Sequence, residues 1–482
     1  MRILLDTNVL IPLEDSKVLN ANIANLTQLA NKYQCILLCH PSSDKDIQRD
    51  RNQARRELLL SKVKKYVVLE PPGQPDEEFL KVIKQEKLRP NDFIDNELIY
   101  AVYRHSVNFL VTEDRGIHKK ARRLGIDAKV YTIEQCIDAL IGLFEKKSLS
   151  LPNIQDIPVY QLQISDPFFI SLKQDYPDFE NWFKRICEED RKAWTIFKSN
   201  GAIGALLIIK EENNERLIPG PIKKILKVCT FKIDEELRGR KIGELFLKAC
   251  FGYCVDNRYE ATYMTTMAEK NRELVNLCMD FGFIQIPYNE REIALYKAFI
   301  PPSQVNDSPL DPLEYHVRHY PFFKYGAGIN KFIIPIIPEY HRILFPDCQK
   351  QFELFYTNEA VNNGILKAYI CNSNNTKITR GDLVLFYRSR DWQSITTLGI
   401  VETVLKTDDP NEVAAVVSKR TVYTFEEIKE ISRRNALVIL FRQIKHVSSP
   451  MTYQELHERE IIKNRLESIT SISEQSFLDI IR

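Results

Sequence analysis

Two polar, proline-bearing stretches do most to limit what this chain can fold into. Pro301–Pro312 (PPSQVNDSPLDP) holds four prolines among small polar residues, and Ser148–Pro158 (SLSLPNIQDIP) holds two and interrupts a helical pattern. Proline removes a backbone donor and fixes φ, so neither stretch continues a helix or a central strand, and both read as linkers. They divide the 482 residues into segments 1–147, 155–300 and 313–482. At roughly 100–200 residues per domain, three domains suit that length better than one large core.

Each segment has its own pattern, and together they predict a multidomain α/β protein. In the first, the apolar runs Ile3–Leu5, Cys35–Leu38, Val67–Leu69 and Phe109–Val111 alternate with helix-period stretches, which predicts an α/β domain with a largely parallel sheet. The second predicts a mixed α/β domain. It has a strand, an aromatic-rich helix within Phe168–Trp194, and strands at Ala193–Phe197, Gly204–Ile209 and Ile225–Ile233. A helix, a strand, a helix and one final strand follow. The third is rich in β-branched and aromatic residues with Gly-Asp and Asn-containing turns, which predicts a small β-barrel with helices at its C-terminal end.

Composition excludes several classes. Lys and Arg number 67 against 65 Asp and Glu, a net charge of +2, so the chain is not a basic coat for nucleic acid, although a whole-chain sum hides local basic faces. No run reaches the ~18–20 apolar residues of a membrane-spanning helix. The N-terminal MRILLDTNVLIPL is interrupted by Asp6 and reads as a buried strand, not a signal segment. Ten scattered cysteines without a C-x-x-C pair read as reduced thiols, and the expected setting is cytoplasmic, with no membrane partner.

The first segment carries an acidic constellation. Asp6 ends the first strand in LDTN, with Asn8 two residues on. Asp46 opens a helix after the second strand and Pro41, Asp95 starts the helix FIDNELIYAVYR, and Asp114 ends a strand in FLVTEDRGI. Any one of these is an N-cap or turn residue by default. Together they would share the rim formed by the carboxyl ends of a parallel sheet, where hard Mg²⁺ or Mn²⁺ relieves their repulsion. With LDTNVLI, the DN helix and LVTEDRGI in this order, residues 1–147 resemble a PIN-domain nuclease. That resemblance implies metal-dependent RNA cleavage, with Asp6, Asp95 and Asp114 as metal ligands and Asn8 and Thr112 as supporting polar groups. Asp46 would be the central acid, with Asp44, Asp50 and Glu57 as neighbouring candidates. Two basic runs flank the rim: Arg49, Arg51, Arg55, Arg56, Lys62, Lys64 and Lys65, and Arg115, Lys119, Lys120, Arg122 and Arg123. A charge run is usually a solvated face, but beside a metal site it suits phosphate steering.

In the second segment the strand KVCTFKI is followed by RGRKIGELFLKACFGYC, a glycine-bearing turn ahead of a helix, which makes an anion-binding helix start. Downstream, ATYMTTMA leads to NRELVNLCMDFGF. These elements resemble the GNAT acetyltransferase family. The resemblance implies acetyl-CoA binding, with the pyrophosphate on the loop Arg238, Gly239, Arg240, Lys241, Ile242, Gly243. Lys241 stands where the family has its first glycine. Phe231, Lys232 and Ile233 would pair with the pantetheine arm, and Asn271 would supply a polar contact. Cys278 occupies the place of the family's proton-donating tyrosine and reads either as a thiol acid or as a buried spacer. Glu269 is a candidate base.

In the third segment KFIIPIIPEYHRILF and RGDLVLFYRSRDWQSITTLGIVETVL resemble a PUA-like barrel of the ASCH or EVE type. Trp392 and Tyr387 flanking Arg388 and Arg390 suit either a base-stacking pocket or a barrel core. His316 and His319 lack a third ligand nearby and do not read as a zinc site. The resemblances imply a ribonuclease acting on single-stranded or tRNA-like RNA, coupled to an acetyl-CoA module and a nucleic-acid reader, in the manner of a toxin or defence effector with an antitoxin or regulatory protein as partner. The alternative is an N-acetyltransferase of an RNA-bound or protein amine, its PIN-like domain serving nucleic-acid binding or regulation.

Overall fold

The computed structural model describes residues 1–14, 21–48, 53, 56–57, 60, 63, 66–83, 90–145, 154–198, 200–215, 222–234, 237, 242–299, 308–345, 348, 364–417 and 423–481. Two compact units emerge. One comprises 1–147, 370–372 and 405–438; the other comprises 148–369, 373–404 and 439–482.

The first unit is built on a five-stranded parallel sheet: β1 (Arg2–Leu5), β2 (Ile36–Cys39), β3 (Val67–Val68), β4 (Phe109–Val111) and β5 (Val130–Tyr131), in the order β3-β2-β1-β4-β5. β1, β2 and β4 follow the apolar runs. Leu4, Leu38 and Leu110 pack with Ile94, Leu98 and Val102 of the helix Pro90–Tyr103 and Ile117 of the helix Arg115–Arg123. That helix corrects one expectation: Asp95 lies in its second turn, because Pro90, whose missing donor costs nothing at a first helical position, starts it earlier. Asp114 does not end a strand either; β4 stops at Val111 and Asp114 caps the next helix. Asp46 sits inside the short helix Ser43–Ile47 and does not open it.

The second unit holds two sheets. One has seven strands: β6 (Gln155–Pro158), β7 (Lys192–Phe197), β8 (Ile203–Glu215), β9 (Ile222–Ile233), β10 (Ala261–Thr266), β11 (Ile284–Pro287) and β12 (Ile293–Ala298), in the order β11-β12-β10-β9-β8-β7-β6. Part of the expected first linker is therefore strand β6, and the single expected final strand is the antiparallel pair β11–β12. The expected aromatic helix is divided into Ile170–Asp175 and Phe179–Glu188, because Pro177 forces Tyr176 into extended backbone. Helices Ile242–Asp256 and Arg272–Asp280 cover one face through Phe246, Phe251 and Cys278, and Phe169, Phe179 and Phe183 cover the other.

The last sheet is a six-stranded half-barrel: β13 (Lys331–Ile336), β14 (Leu366–Cys371), β15 (Leu383–Arg388), β16 (Ser394–Thr407), β17 (Ala436–His446) and β18 (Thr470–Ile472), in the order β14-β17-β16-β15-β13-β18. Its helices are interleaved with the strands and not confined to the C-terminal end. The connection from β16 to β17, with helices Pro410–Val417 and Phe425–Ser432, belongs to the first unit.

Candidate functional site

Four expected residues of the first unit interlock. Asp6 follows β1 and is buried, its Oδ1 accepting from the Thr7 amide at 2.6 Å and its Oδ2 from the Thr112 hydroxyl at 2.5 Å. Thr112, fully buried just past β4, also accepts from the Asp114 amide at 2.9 Å and the Asn8 side-chain amide at 3.2 Å. Asp114 Oδ1 accepts from the amides of Gly116 (2.6 Å) and Ile117 (3.0 Å). A Cβ on Gly116 would stand 2.9 Å from that oxygen, which is why the T-E-D-R-G turn needs a glycine there.

The electrostatics tie Asp95 to the same place. Burial pushes the Asp6 carboxyl up to about 6 against its two hydrogen bonds, and the charges of Asp114 and Asp46 add to the push. Burial likewise pushes Asp95 up to about 6; Lys120 opposes the shift, and Asp114, Asp6 and Asp92 reinforce it. Among the neighbouring candidates for the central acid, Asp46 is the one whose charge reaches Asp6. Glu57 accepts from Gln53, and Asp50 lies outside the described residues.

The donor set, all carboxylate and hydroxyl oxygen with mutual repulsion, fits a hard divalent cation chemically. Among the described residues, however, no three His, Cys, Asp or Glu side chains gather closely enough to hold an ion as they stand. Lys120 is one reason. Its ammonium lies 3.5 Å from Asp92, 3.7 Å from Asp95 and 2.9 Å from the Asn96 side-chain oxygen, so a cation already stands between these groups. Lys120 is thus an internal counter-ion, not a phosphate-steering surface residue, and Arg123 bonds the Ile83 carbonyl. Of the other basic run, only Arg56 falls among the described residues. Sequence reading missed Lys120 in this role, although it shares a helix face with Ile117 and Ala121, and a lysine on an apolar face signals a buried partner. It also missed His40 at the end of β2. This buried imidazole bonds the Ser42 hydroxyl, lies 3.9 Å from Glu97, and leaves Nε2 without a hydrogen bond; burial holds its pKa below the usual value.

In the second unit β9 and β10 pair in parallel over Ile225–Val228 and Ala261–Met264, then part, although β9 runs on to Ile233 and β10 to Thr266. The register with β8 shifts at the same level and leaves Cys229 over as a bulge. Phe231, Lys232 and Ile233 lie beyond the parting point. Phe231 packs on Phe246 at 5.7 Å, and the Lys232 ammonium bonds the Phe168 carbonyl and, at 2.7 Å, the Ser171 hydroxyl. Ile242 and Gly243 start the helix across the opening. A Cβ on Gly243 would meet Leu277 at 2.6 Å, so this helix start is held against the neighbouring helix. Arg238, Gly239, Arg240 and Lys241 lie outside the described residues. Asn271 donates to the Thr266 hydroxyl at 2.9 Å and so fixes the end of β10. Cys278 is fully buried, its Sγ donating to Met264 Sδ at 4.0 Å, and burial drives its thiol pKa far up, which suits the buried-spacer reading. Glu269 is exposed.

Of the two readings of the half-barrel's aromatic and arginine group, Tyr387 and Arg388 follow the barrel-core one. Tyr387 is core, and Arg388 is 2% exposed, clamped by Asp391 at 2.9 and 2.5 Å and stacked on Trp392 at 4.0 Å. Arg390 is exposed and Trp392 half-buried. His316 is buried and bonds the Phe322 carbonyl. No cysteine forms a disulfide, and among the described residues no helix is long and apolar enough to cross a membrane.

No family model matches the sequence, and no curated protein matches it. Solved structures do. An ASCH protein from Zymomonas mobilis is 12% identical, with a TM-score of 0.25, over 31% of this chain and 93% of that one. A GNAT-family acetyltransferase from Staphylococcus aureus Mu50 is 16% identical, with a TM-score of 0.24, over 30% and 99%. One from Streptococcus agalactiae 2603 is 17% identical, with a TM-score of 0.21, over 26% and 75%.

Proposed function

We propose that this chain is a metal-dependent ribonuclease of the PIN type, joined to an acetyl-CoA-binding module and a nucleic-acid-reading half-barrel. One observation carries the reading. Asp6 and Asp95, from different elements at one rim of a parallel sheet, each have a carboxyl that burial pushes up to about 6, with the Asp114 charge adding to both shifts and the Asp6 charge to that of Asp95. Burying carboxyls beside one another is costly unless a cation is to be bound.

Asp6, Asp95 and Asp114 would hold Mg²⁺ or Mn²⁺, which when bound supplies an activated water and charge neutralisation at the scissile phosphodiester. The rest is done by this chain's own groups. Thr112 holds Asp6 in one rotamer and takes the Asp114 amide; Asn8 steadies Thr112; the helix amides fix Asp114; Lys120 pulls Asp95 toward its anion. Asp46 adds charge from the remaining side. Single-stranded or tRNA-like RNA is the substrate this reading names, and an antitoxin or regulatory protein the partner. The test is cleavage of RNA and DNA panels with Mg²⁺ or Mn²⁺ by wild type, Asp6→Asn and Asp114→Asn. RNA cleavage lost in both variants is expected; equal cleavage by all three overturns the reading.

The parting of β9 from β10 favours a second activity on the same chain, acetyl-CoA binding with or without N-acetylation of an RNA-bound or protein amine. An acyl-CoA arm can add to the freed edge of β9 as an extra strand, with its pyrophosphate on the 238–243 loop. Acetyl transfer that survives Asp6→Asn but is lost on replacing Arg238 and Arg240 would make acetylation the primary chemistry. Cleavage that responds to acetyl-CoA without acetylated product would make the module a sensor.

A further inference from the structure

We propose that the second unit binds a nucleoside monophosphate in a cavity of about 420 Å³ formed by the turn before β11, the helix Pro312–His319, Arg380, and strands β16 and β17. That volume lies in the ~300–1,000 Å³ range of small-ligand sites.

Three guanidiniums from separate parts of the chain line it: Arg318, Arg380 and Arg442. Arg442 is fixed. Its Nε bonds Glu402 on β16 and its Nη1 the Asp280 carbonyl at 3.1 Å, with the fork over the Phe281 ring at 5.4 Å. Nη2 has no hydrogen-bond partner among the described residues. Arg380 is anchored through Nη2 to Asp311 at 3.3 Å, and Arg318 is exposed. Anchoring one edge of a guanidinium and leaving another free is how a planar donor is prepared for a phosphate.

A buried lysine stands behind the wall. Lys297 is 1% exposed and donates to the carbonyls of Val317 (3.0 Å) and Arg318 (3.3 Å); among the described residues it has no carboxylate partner. A Cβ on Gly282, which lines the cavity, would lie 2.9 Å from its Nζ. Burial pulls the Lys297 pKa down to about 7, and the Arg442 charge adds to that pull. Burial thus disfavours the charged form of Lys297, and a bound anion would favour it again. Glu314 and Glu402 on the same wall limit how much negative charge a ligand can bring, which favours one phosphate over a polyphosphate. Phe283, Leu313 and Val317 supply an apolar surface for the ring. The site lies at the C-terminal end of the helix Arg272–Asp280, whereas the acetyl-CoA groove lies at its Asn271 end. The inference therefore stands whether or not that groove is used.

The test is calorimetric titration of the full chain with adenosine and cytidine monophosphates, adenosine and inorganic phosphate. Wild type is compared with Arg318→Ala and Arg380→Ala, exposed positions whose loss leaves the fold intact by thermal melting. A nucleoside monophosphate should bind one per chain, at least tenfold tighter than adenosine or phosphate alone. Each variant should lose about tenfold, and acetyl-CoA should not compete. Equal binding of adenosine, unchanged affinity in both variants, competition by acetyl-CoA, or no binding at millimolar monophosphate would each overturn the proposal.

Discussion

Replacing Asp6 by Asn should stabilise the first unit at alkaline pH while abolishing the proposed RNA cleavage. The native carboxyl sits near pKa 6, against the ordinary 3.8. The folded state therefore binds the proton more tightly than the unfolded chain. Stability from this group is fully present below pH 3.8 and is lost as pH rises through 6. Two pKa units correspond to about 3 kcal/mol, of which roughly half is already lost at pH 5 and nearly all at pH 8. Asparagine removes the charge but can satisfy only one of the two donors, Thr7 N–H and Thr112 O–H, which costs about 1 kcal/mol. The variant should therefore be more stable than wild type by about 2 kcal/mol at pH 8 and by about 0.5 at pH 5. All three tryptophans, Trp182, Trp194 and Trp392, lie outside the first unit, so fluorescence would report the wrong part. Hydrogen exchange of the β1 and β4 peptides in a urea series reads the right one. Mn²⁺ at pH 8 should stabilise wild type and not the variant. A variant less stable than wild type at pH 8, or a gap that does not change between pH 5 and 8, would refute the placement of a strained carboxyl at Asp6.

Lys120→Met removes the cation that favours the Asp95 anion, so the rise of the proposed RNA cleavage with pH should move to higher pH, read as the midpoint of a pH–rate profile. Gly282→Ala places a methyl 1.9 Å from the Val317 carbonyl at a φ of +81° and should destabilise the second unit by about 3 kcal/mol or more, measured by tryptophan-monitored unfolding. Cys278→Ala should leave acetyl-CoA affinity and any acetyl transfer within about twofold, in isotope-transfer assays, while lowering thermal stability by about 1–2 kcal/mol for the small cavity it opens.

Local pattern carried far in this chain. The apolar runs of β1, β2 and β4 and the spacing of Asp6, Asp95 and Asp114 were legible, because a buried parallel strand needs consecutive apolar residues and its functional groups must follow at the carboxyl end. β5 escaped notice because Val130–Tyr131 is too short to make a run. The pair β11–β12 was read as one strand because its short turn, Tyr288–Glu292, lacks glycine and proline. Lys232 was read as a cofactor residue from its place in a strand, but which group its ammonium meets depends on Phe168 and Ser171, more than sixty residues earlier.

Chain order and residue type alone thus point to the acid set and its parallel-sheet setting, whereas the linker readings give way in part, since Gln155–Pro158 is strand β6 and 148–369 falls in one compact unit. Only the folded chain decides what those acids are worth. The proton affinity of Asp6 and Asp95 is set by burial and by charges brought together from positions 46, 92, 114 and 120. The assignment of 405–438 to the first unit, the burial of Arg388 against Asp391, and the arginine cavity beside Lys297 have the same origin. Desolvation and Coulomb energies depend on distance through space, and linear spacing does not contain it.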